Sequence, residues 1–319
     1  MNARAVTVVG AGVIGLTTGV VLAEAGYAVR VVSADPIGAT ASAAAGAMCS
    51  GSYLTGSDER IRRWAAIGLA RFTALAEDGS GEDAGVRLVA GLSVSRRPDF
   101  PPPMIATLLP PGSCTPAAPP AGYARAWRYT VPMIDMSRYL PYLRARLIDA
   151  GVRIEHRKIT TLEGLGPIVF NATGLGARVL AGDRYLTAVR GDLVIVRNPG
   201  IGEFFDDTNG PVLTYVYPHR DAVILGGTSL PGDEDLDPRP DAAAGIIERC
   251  ARVIPNLHDA EVLEHRVGLR PTRTAVRVEP DPHTSGGAKL IHAYGLGGGG
   301  VSLAFGVAHQ VSELLDSRP

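Results

Sequence analysis

The stretch AVTVVGAGVIGL, residues 5–16, decides the fold of this 319-residue chain. Its first five residues are mostly β-branched, which is typical of a strand buried on both faces of a sheet. Gly10, Gly12 and Gly15 follow at the G-x-G-x-x-G spacing, and the apolar helical stretch after them ends near Gly26. The pattern predicts a strand, a tight glycine turn and a buried helix.

The residues beyond this helix complete a βαβ nucleotide-binding unit. Residues 29–32 predict a second strand, and Asp35 follows it. In such a unit Gly10 permits the tight turn, Gly12 lets the backbone approach a pyrophosphate, and Gly15 lets the helix pack closely on the strand. The helix N-terminus offers N–H groups to the phosphates, and Asp35 accepts hydrogen bonds from the ribose hydroxyls. A Rossmann-like unit that has lost its ligand is the alternative interpretation.

The glycine motif does not by itself distinguish FAD from NAD, but two later segments favour FAD. A loop of small residues, 40–48, stands where a nicotinamide enzyme usually continues with another βαβ unit, and it could lie against a flavin ring and pyrophosphate. The segment GLGGGG, residues 295–300, opens a last helix after a strand, so its N–H groups could stabilise a reduced anionic flavin. A mobile glycine hinge is the alternative there. Asp35, with no arginine just after it, argues against NADP.

Composition and charge indicate a globular protein without a strong global field. The formal net charge is −1, so neither nucleic acid nor a membrane surface is an expected partner. Residues 5–23 are uncharged and nominally long enough to span a bilayer, but their four glycines fit a strand, turn and helix better. Cys49, Cys114 and Cys250 have no C-x-x-C spacing, so we expect neither a disulfide framework nor a metal site. A reducing cytoplasm is the expected location.

The rest of the chain alternates predicted helices and strands. Predicted helices lie at residues 60–77, 135–150, 241–254 and 301–315. Predicted strands lie at residues 152–159, 168–171, 189–196, 212–217, 222–226 and 290–294. Nine prolines in residues 98–122 predict an irregular surface segment.

Several of these segments resemble the D-amino acid oxidase family of FAD-dependent amine oxidoreductases, and the resemblance covers nearly the whole chain. The motifs that carry it are GAGVIGL (10–16), SAD (33–35), TASAAAG (40–46), VPMIDMSRYL (131–140), FNATGLGAR (170–178), VRGDLVIV (189–196), TYVYP (214–218), VGLRPTRTAVRVE (267–279) and IHAYGLGGGGVS (291–302). The last three are the most specific.

With this resemblance, we expect an α/β fold of two domains. Residues 1–50, 138–182 and 265–319 would form a discontinuous Rossmann-type FAD-binding domain. Residues 51–137 and 183–264 would form an antiparallel, β-rich substrate-binding domain.

The resemblance assigns the substrate's carboxylate to two side chains. Tyr215 matches the family tyrosine whose hydroxyl hydrogen-bonds that carboxylate, and Arg270 matches the arginine that grips it with both guanidinium nitrogens. A planar guanidinium fork suits a planar carboxylate on chemical grounds as well. Gly298 would offer its backbone carbonyl to the substrate amine. Without the resemblance, the alternatives are a surface or interdomain ion pair for Arg270 and an ordinary strand aromatic for Tyr215.

The residues expected to bind FAD come from the nucleotide motif, the small-residue loop and the last glycine turn, with two positions between them. They are Gly10, Ala11, Gly12, Val13, Ile14, Gly15, Asp35, Thr40, Ala41, Ser42, Ala45, Gly46, Ala47, Met48, Ile159, Thr173, Arg270, Gly295, Gly297, Gly298, Gly299, Gly300, Val301 and Ser302. Tyr217 and Arg266 lie near the two carboxylate binders in sequence and could shape the pocket.

The chain also departs from the family pattern. Met48, Cys49 and Leu296 replace residues that are usually aromatic or polar, so residues 46–54 would line the pocket differently, or Tyr53 compensates. The long lid of eukaryotic members is not expected, because the segment before Tyr215 is short and glycine-rich. His292, which precedes the last glycine turn, is expected to be structural or near the flavin.

The resemblance implies oxidative deamination of a D-amino acid by hydride transfer to flavin N5. The products would be a 2-oxo acid, ammonia and, once O₂ reoxidises the flavin, hydrogen peroxide. The expected partners are the D-amino acid, O₂ and, as a candidate, a second copy of the chain in a homodimer. The alternatives are a glycine- or sarcosine-type amine oxidase, a tailoring oxidoreductase on an unusual amine, and a flavin-bound structural or sensor protein.

Overall fold

The predicted βαβ unit is present in the computed structural model, which describes residues 4–49, 58–210, 212–282 and 288–316. The strands in chain order are β1 (Ala5–Val9), β2 (Ala28–Ser33), β3 (Val86–Ser95), β4 (Thr115–Ala117), β5 (Arg125–Ile134), β6 (Arg153–His156), β7 (Ile168–Asn171), β8 (Thr187–Arg197), β9 (Phe204–Asp207), β10 (Thr214–Pro218), β11 (Ala222–Gly226), β12 (Leu230–Pro231), β13 (Val262–Pro280) and β14 (Lys289–Leu296). The helices are α1 (Val13–Glu24), α2 (Glu59–Glu77), α3 (Gly81–Ala84), α4 (Met136–Asp149), α5 (Ala177–Leu180), α6 (Pro240–Val253) and α7 (Gly300–Asp316).

Five of these strands form the parallel part of one large sheet. Their order is β14-β7-β1-β2-β6, and every neighbouring pair is parallel. Val9 at the end of β1 pairs with Val32 of β2 and with Asn171 of β7. The carboxyl ends of these strands therefore meet at one edge, which is where open α/β sheets bind nucleotides.

The other strands continue the same sheet in a mostly antiparallel manner. Their order is β4-β5-β3-β9-β10-β11-β8-β13, with only β3 and β9 running parallel among them. The long strand β13 pairs with β8 on one side and β14 on the other, so it joins the two parts of the sheet. The mixed α/β architecture confirms the predicted fold class. The division into two domains stays a prediction, and its boundary at 264/265 falls inside β13.

Three helices pack together on the face of the sheet that carries the nucleotide motif. Phe72 of α2 makes edge-on contacts with Tyr139 of α4 at 5.4 Å and with Phe305 of α7 at 5.3 Å between ring centroids. All three helices place these rings in a single apolar core. The opposite face of the antiparallel strands is covered by α6, through the buried side chains of Ile246 and Cys250.

The predicted helices are confirmed, and each agrees with the structure within two residues at both ends. The predicted strand at 152–159 is shorter, since β6 covers only residues 153–156. Strands β3, β4, β5, β9, β12 and β13 were not predicted. The segment 98–122 is mostly irregular, although it contains β4 and one turn of 3₁₀ helix. Across the described ranges, no helix combines the length and the apolar character needed to cross a bilayer.

Candidate active site

The glycines of the nucleotide motif have the geometry that the sequence predicted. Gly10 has a φ of 110°, and a Cβ atom there would overlap the carbonyl of Ala172 at the end of β7. A Cβ atom on Gly15 would overlap the carbonyl of Gly10. Only glycine allows α1 to begin so close to the two parallel strands, as the motif requires.

The N-terminus of α1 is open toward the small-residue loop. The N–H group of Val13 donates to the hydroxyl of Ser42 at 2.9 Å. A Cβ atom on Gly12 would contact only this hydroxyl, at 3.1 Å, and no acidic side chain lies in the first turn of α1. The positive end of the α1 dipole is therefore not compensated by an acidic side chain, and it lies beside free space. Helix N-termini of this kind bind phosphate groups.

Asp35 lies at the same edge of the sheet, two residues beyond the end of β2. Its side chain is exposed, and its carbonyl accepts a hydrogen bond from the Ser33 hydroxyl at 2.9 Å. The position suits a residue that binds a ribose. Ile159 is partly buried on the far side of the parallel strands, where it packs near Val9, Leu162 and Leu165.

A buried chain of hydrogen bonds holds the turn after β7. The amide oxygen of Asn171 accepts from the N–H and the hydroxyl of Thr173, at 3.2 and 2.7 Å. The Asn171 amide nitrogen lies 3.0 Å from Nδ1 of His292, and Nε2 of His292 lies 2.7 Å from Asp281. A neutral imidazole that donates to Asp281 satisfies both contacts, and burial lowers the His292 pKa accordingly. His292 thus has a structural role, one of the two roles that the sequence suggested.

The small-residue loop connects the nucleotide motif to the antiparallel strands. Ser42 contacts α1, and four residues later Gly46 lies against the two tyrosines of β10. A Cβ atom on Gly46 would be 3.4 Å from the ring of Tyr217 and 3.6 Å from that of Tyr215. Arg266 of β13 donates to the carbonyl of Ala43 at 2.9 Å. The loop thus extends from the N-terminus of α1, where a pyrophosphate would bind, to the two tyrosines of β10. A bound FAD would lie along this loop.

The side chains of Arg270 and Tyr215 lie close together, and each of them packs over a glycine of a neighbouring strand. The guanidinium of Arg270 lies against Gly191 of β8, and the ring of Tyr215 lies against Gly226 of β11; a Cβ atom at either glycine would overlap the larger side chain. The strands β8 and β11 are neighbours, so the two side chains meet between them. Burial raises the pKa of Tyr215, and the charge of Arg270 opposes that rise.

The charge of Arg270 is not neutralised by a carboxylate. Within the described parts of the chain its hydrogen-bond partners are neutral: the carbonyls of Thr228, at 3.2 Å, and Arg190, at 3.4 Å, and the side chain of Tyr215. A half-buried guanidinium in this state attracts an anionic ligand, and its fork matches a carboxylate.

The last glycine turn lies beside Arg270 because β13 and β14 are paired. Thr272, two residues beyond Arg270, pairs with Leu296, and a Cβ atom on Gly297 would be 3.4 Å from the Thr272 hydroxyl. A Cβ atom on Gly298 or on Gly300 would meet no heavy atom within 4 Å, so the backbone of both residues faces open space. Substrate and flavin ring could both reach it.

The predicted pocket residues around this turn are buried. Ser302 donates to the carbonyl of Met48 at 3.4 Å, and Leu296 is also buried. Burial raises the pKa of the Cys49 thiol to about 12, so this cysteine is not a nucleophile. Tyr53 lies outside the described residues.

Sequence reasoning missed Gly191 and Gly226, which Arg270 and Tyr215 contact, and Asp206, which pairs with Tyr215. The two glycines matter only through the side chains that cross above them from neighbouring strands. Asp206 pairs directly with Tyr215 across β9 and β10. The only signal in the sequence was the unusual run Phe204-Phe205-Asp206-Asp207, which places two carboxylates in an apolar strand.

Known proteins match this chain over nearly its full length. A family model described as FAD dependent oxidoreductase matches residues 5–314. The D-amino-acid oxidase of Streptomyces coelicolor is 40% identical over 316 residues, which cover 97% of this chain and 96% of that protein. The D-aspartate oxidase of Homo sapiens is 33% identical over 330 residues, covering 99% and 95%. Among solved structures, glycine oxidase from Geobacillus kaustophilus superposes with a TM-score of 0.84 at 20% identity, covering 99% and 96%.

Proposed function

This chain belongs to the FAD dependent oxidoreductase family, and we propose that it catalyses the FAD-dependent oxidative deamination of D-amino acids. Its 40% identity to a D-amino-acid oxidase over 97% of the chain supports this activity. The glycine oxidase has only 20% identity, and that likeness reflects the common fold alone.

The observation that carries the proposal is the uncompensated charge of Arg270 beside the buried hydroxyl of Tyr215. Both contacts of Arg270 with backbone go through Nη1. An α-carboxylate that accepts hydrogen bonds from the guanidinium and the phenol would neutralise this charge and fix the orientation of the substrate. A neutral amine without a carboxylate would leave it unpaired.

The nucleotide motif fits FAD. The open side of Gly12 and the positive end of α1 suit the pyrophosphate, and Asp35 suits a ribose. We assign cofactor binding to the motif, the 40–48 loop, Ile159, Thr173, Arg270 and the 295–302 turn. Bound FAD would supply the two-electron acceptor that takes a hydride from the substrate Cα and passes the electrons to O₂, which yields hydrogen peroxide.

The residues of the chain would contribute binding and orientation. Arg270 and Tyr215 would hold the carboxylate, and the backbone carbonyl of Gly298 would accept a hydrogen bond from the substrate amine. With carboxylate and amine both fixed, only one enantiomer presents its Cα–H in the reactive direction. Orientation of this kind, together with fixed electrostatics, accounts for a large share of enzymatic rate acceleration. Release of the imine to water gives the 2-oxo acid and ammonia.

An anaerobic titration tests this function. We expect the purified protein to be yellow, to release FAD on denaturation, and to lose its flavin absorbance when a D-amino acid is added without oxygen. Readmission of air should restore the colour and produce hydrogen peroxide. A panel containing glycine, sarcosine and L-amino acids separates the amine-oxidase alternatives. A flavin that no D-amino acid bleaches would instead indicate a structural or sensor protein.

The proposal also includes a location and an assembly. We infer a cytoplasmic location from three cysteines without a disulfide-type spacing. A homodimer is the candidate assembly, and light scattering of the holoprotein tests it directly.

A further inference from the structure

Asp206 lies on the same face of the sheet as the two tyrosines of the site. It pairs directly with Tyr215 across the β9–β10 ladder, and directly opposed residues share a face. Tyr215 and Tyr217 alternate along β10 onto that face, and their rings are stacked with 4.5 Å between centroids. The carboxyl group of Asp206 is therefore part of the aromatic side of the site.

The Asp206 carboxylate is deeply buried, with only 2% of the residue exposed. Oδ1 accepts a hydrogen bond from the Thr208 N–H at 2.9 Å, the Thr208 hydroxyl also donates to the carboxylate, and Oδ2 accepts a long hydrogen bond, 3.4 Å, from the Tyr217 hydroxyl. No arginine, lysine or histidine of the described residues forms an ion pair with it. An unpaired buried carboxylate is costly, and a cation beside it would relieve that cost.

The neighbouring Asp207 has a cationic partner through Oδ2, although its Oδ1 has no hydrogen-bond partner among the described residues. Asp207 points to the other face, where Arg96 forms an ion pair with it at 2.5 Å and the Tyr123 hydroxyl donates to it at 3.1 Å. The chain therefore supplies a cation to Asp207 and, among the described residues, none to Asp206. Within the described residues the charge of Asp206 thus has hydrogen bonds but no cation, and a bound ligand could supply one.

The two charged ends of the site lie on opposite sides of β10. The ring of Tyr215 leans over Gly226 of β11, toward Arg270, whereas Asp206 is on β9. The Arg270 guanidinium lies against Gly191 of β8, and β8 is three strand spacings, or about 14 Å, from β9 in the order β9-β10-β11-β8. A substrate whose carboxylate binds Arg270 needs several methylene groups to reach Asp206.

On the basis of the proposed function, we propose that Asp206 is a specificity residue that binds the cationic end of the substrate side chain. The preferred substrates are then D-amino acids with long basic side chains, such as D-lysine and D-ornithine. D-aspartate and D-glutamate are disfavoured because their side-chain carboxylate would meet a second, buried carboxylate. A D-aspartate oxidase activity would require a cation at this place instead.

Steady-state kinetics of the holoenzyme test the assignment, with D-lysine compared with D-norleucine, which has the same chain length without the ammonium group. We expect kcat/KM of the wild type to be at least about 10-fold higher for D-lysine, the usual effect of a hydrogen bond to a charged group. Asp206→Asn keeps the size of the side chain and removes its charge. It should abolish the preference for D-lysine, leave D-norleucine within about threefold, and raise activity on D-glutamate.

Asp207→Asn is the matched control, since it changes the adjacent buried carboxylate on the other face and should preserve the preference for D-lysine. Equal losses on D-lysine and D-norleucine in Asp206→Asn would make Asp206 structural and overturn the assignment. If that variant does not fold, the wild type alone decides, because a preference for D-norleucine or D-glutamate overturns the proposal. An enzyme that oxidises D-norleucine without preferring D-lysine refutes only the role of Asp206. An enzyme that oxidises no D-amino acid refutes the proposed function as well.

Discussion

The guanidinium group of Arg270 lies against the backbone of Gly191 on the neighbouring strand, so closely that a Cβ atom at residue 191 would overlap both of its terminal nitrogens. The position of the Arg270 guanidinium thus depends on the absence of a side chain at Gly191. On the adjacent strand β11, the ring of Tyr215 lies against Gly226 in the same way, because a Cβ atom there would overlap it. The pair of side chains that is proposed to hold the substrate carboxylate therefore depends on two glycines that contact no substrate.

Gly191→Ala is expected to impair substrate binding without unfolding the protein. The new methyl group would meet the far end of a flexible side chain, so the guanidinium can move and the strand need not. A displacement of about 1 Å in a substrate-positioning group costs up to about 100-fold in kcat/KM, and we expect most of it in KM. Gly202→Ala is the control, because a Cβ atom there meets nothing within 4 Å. Unchanged kinetics in Gly191→Ala would show that the guanidinium position is not critical.

Arg270→Leu should have a larger effect than the glycine substitution. Removal of one partner of a desolvated charge pair costs about 2–5 kcal/mol, which corresponds to roughly 30- to several-thousand-fold in kcat/KM. Arg270→Lys should recover only part of the loss, because an ammonium group cannot form the bidentate fork. Kinetics at matched flavin occupancy measure both effects. A loss below about fivefold, or an equal loss on amines without a carboxylate, would place Arg270 outside the substrate site.

Asp35→Ala should weaken the retention of FAD and leave the fold intact. The Asp35 side chain is exposed at the carboxyl edge of the parallel strands, so its removal disturbs no packing. Hydrogen bonds from ribose hydroxyls to a carboxylate are worth about 1.5–3 kcal/mol, so the Kd for FAD should rise about 10- to 150-fold. Asp221→Ala, at an exposed turn between β10 and β11, is the control. Equal FAD affinity in both variants would argue that Asp35 does not bind the ribose.

The sequence predicted the parts of the molecule that are local. The βαβ unit depends on residues within one short stretch, and the roles of Tyr215 and Arg270 were assigned from short motifs and stay predictions. The strand β13 escaped prediction because Pro271 and many charged residues interrupt its apolar pattern, and its pairing with β8 and β14 compensates for that. The importance of Gly191 and Asp206 arises only from the register of neighbouring strands, which brings together residues far apart in sequence. The hydrophobic pattern of a single strand does not reveal its register with neighbouring strands.

The buried Asp206 carboxyl group should make the stability of the folded protein depend on pH. Burial raises its pKa to about 6, whereas an aspartate in the unfolded chain has a pKa of about 3.9. Between these two values the folded protein binds more protons than the unfolded chain, so the free energy of unfolding falls as the pH rises through this window. The loss approaches about 3 kcal/mol above pH 6, at about 1.4 kcal/mol for each unit of pKa difference.

Asp206→Asn removes this titration, so it should be more stable than the wild type at pH 7.5, with the advantage shrinking as the pH falls toward about 4. Denaturant unfolding of the substrate-free holoproteins at several pH values, at one FAD concentration, measures the difference. The control Asp207→Asn should be destabilised across the same range, because it loses the ion pair with Arg96. A stability difference between Asp206→Asn and the wild type that does not vary with pH would contradict the raised pKa.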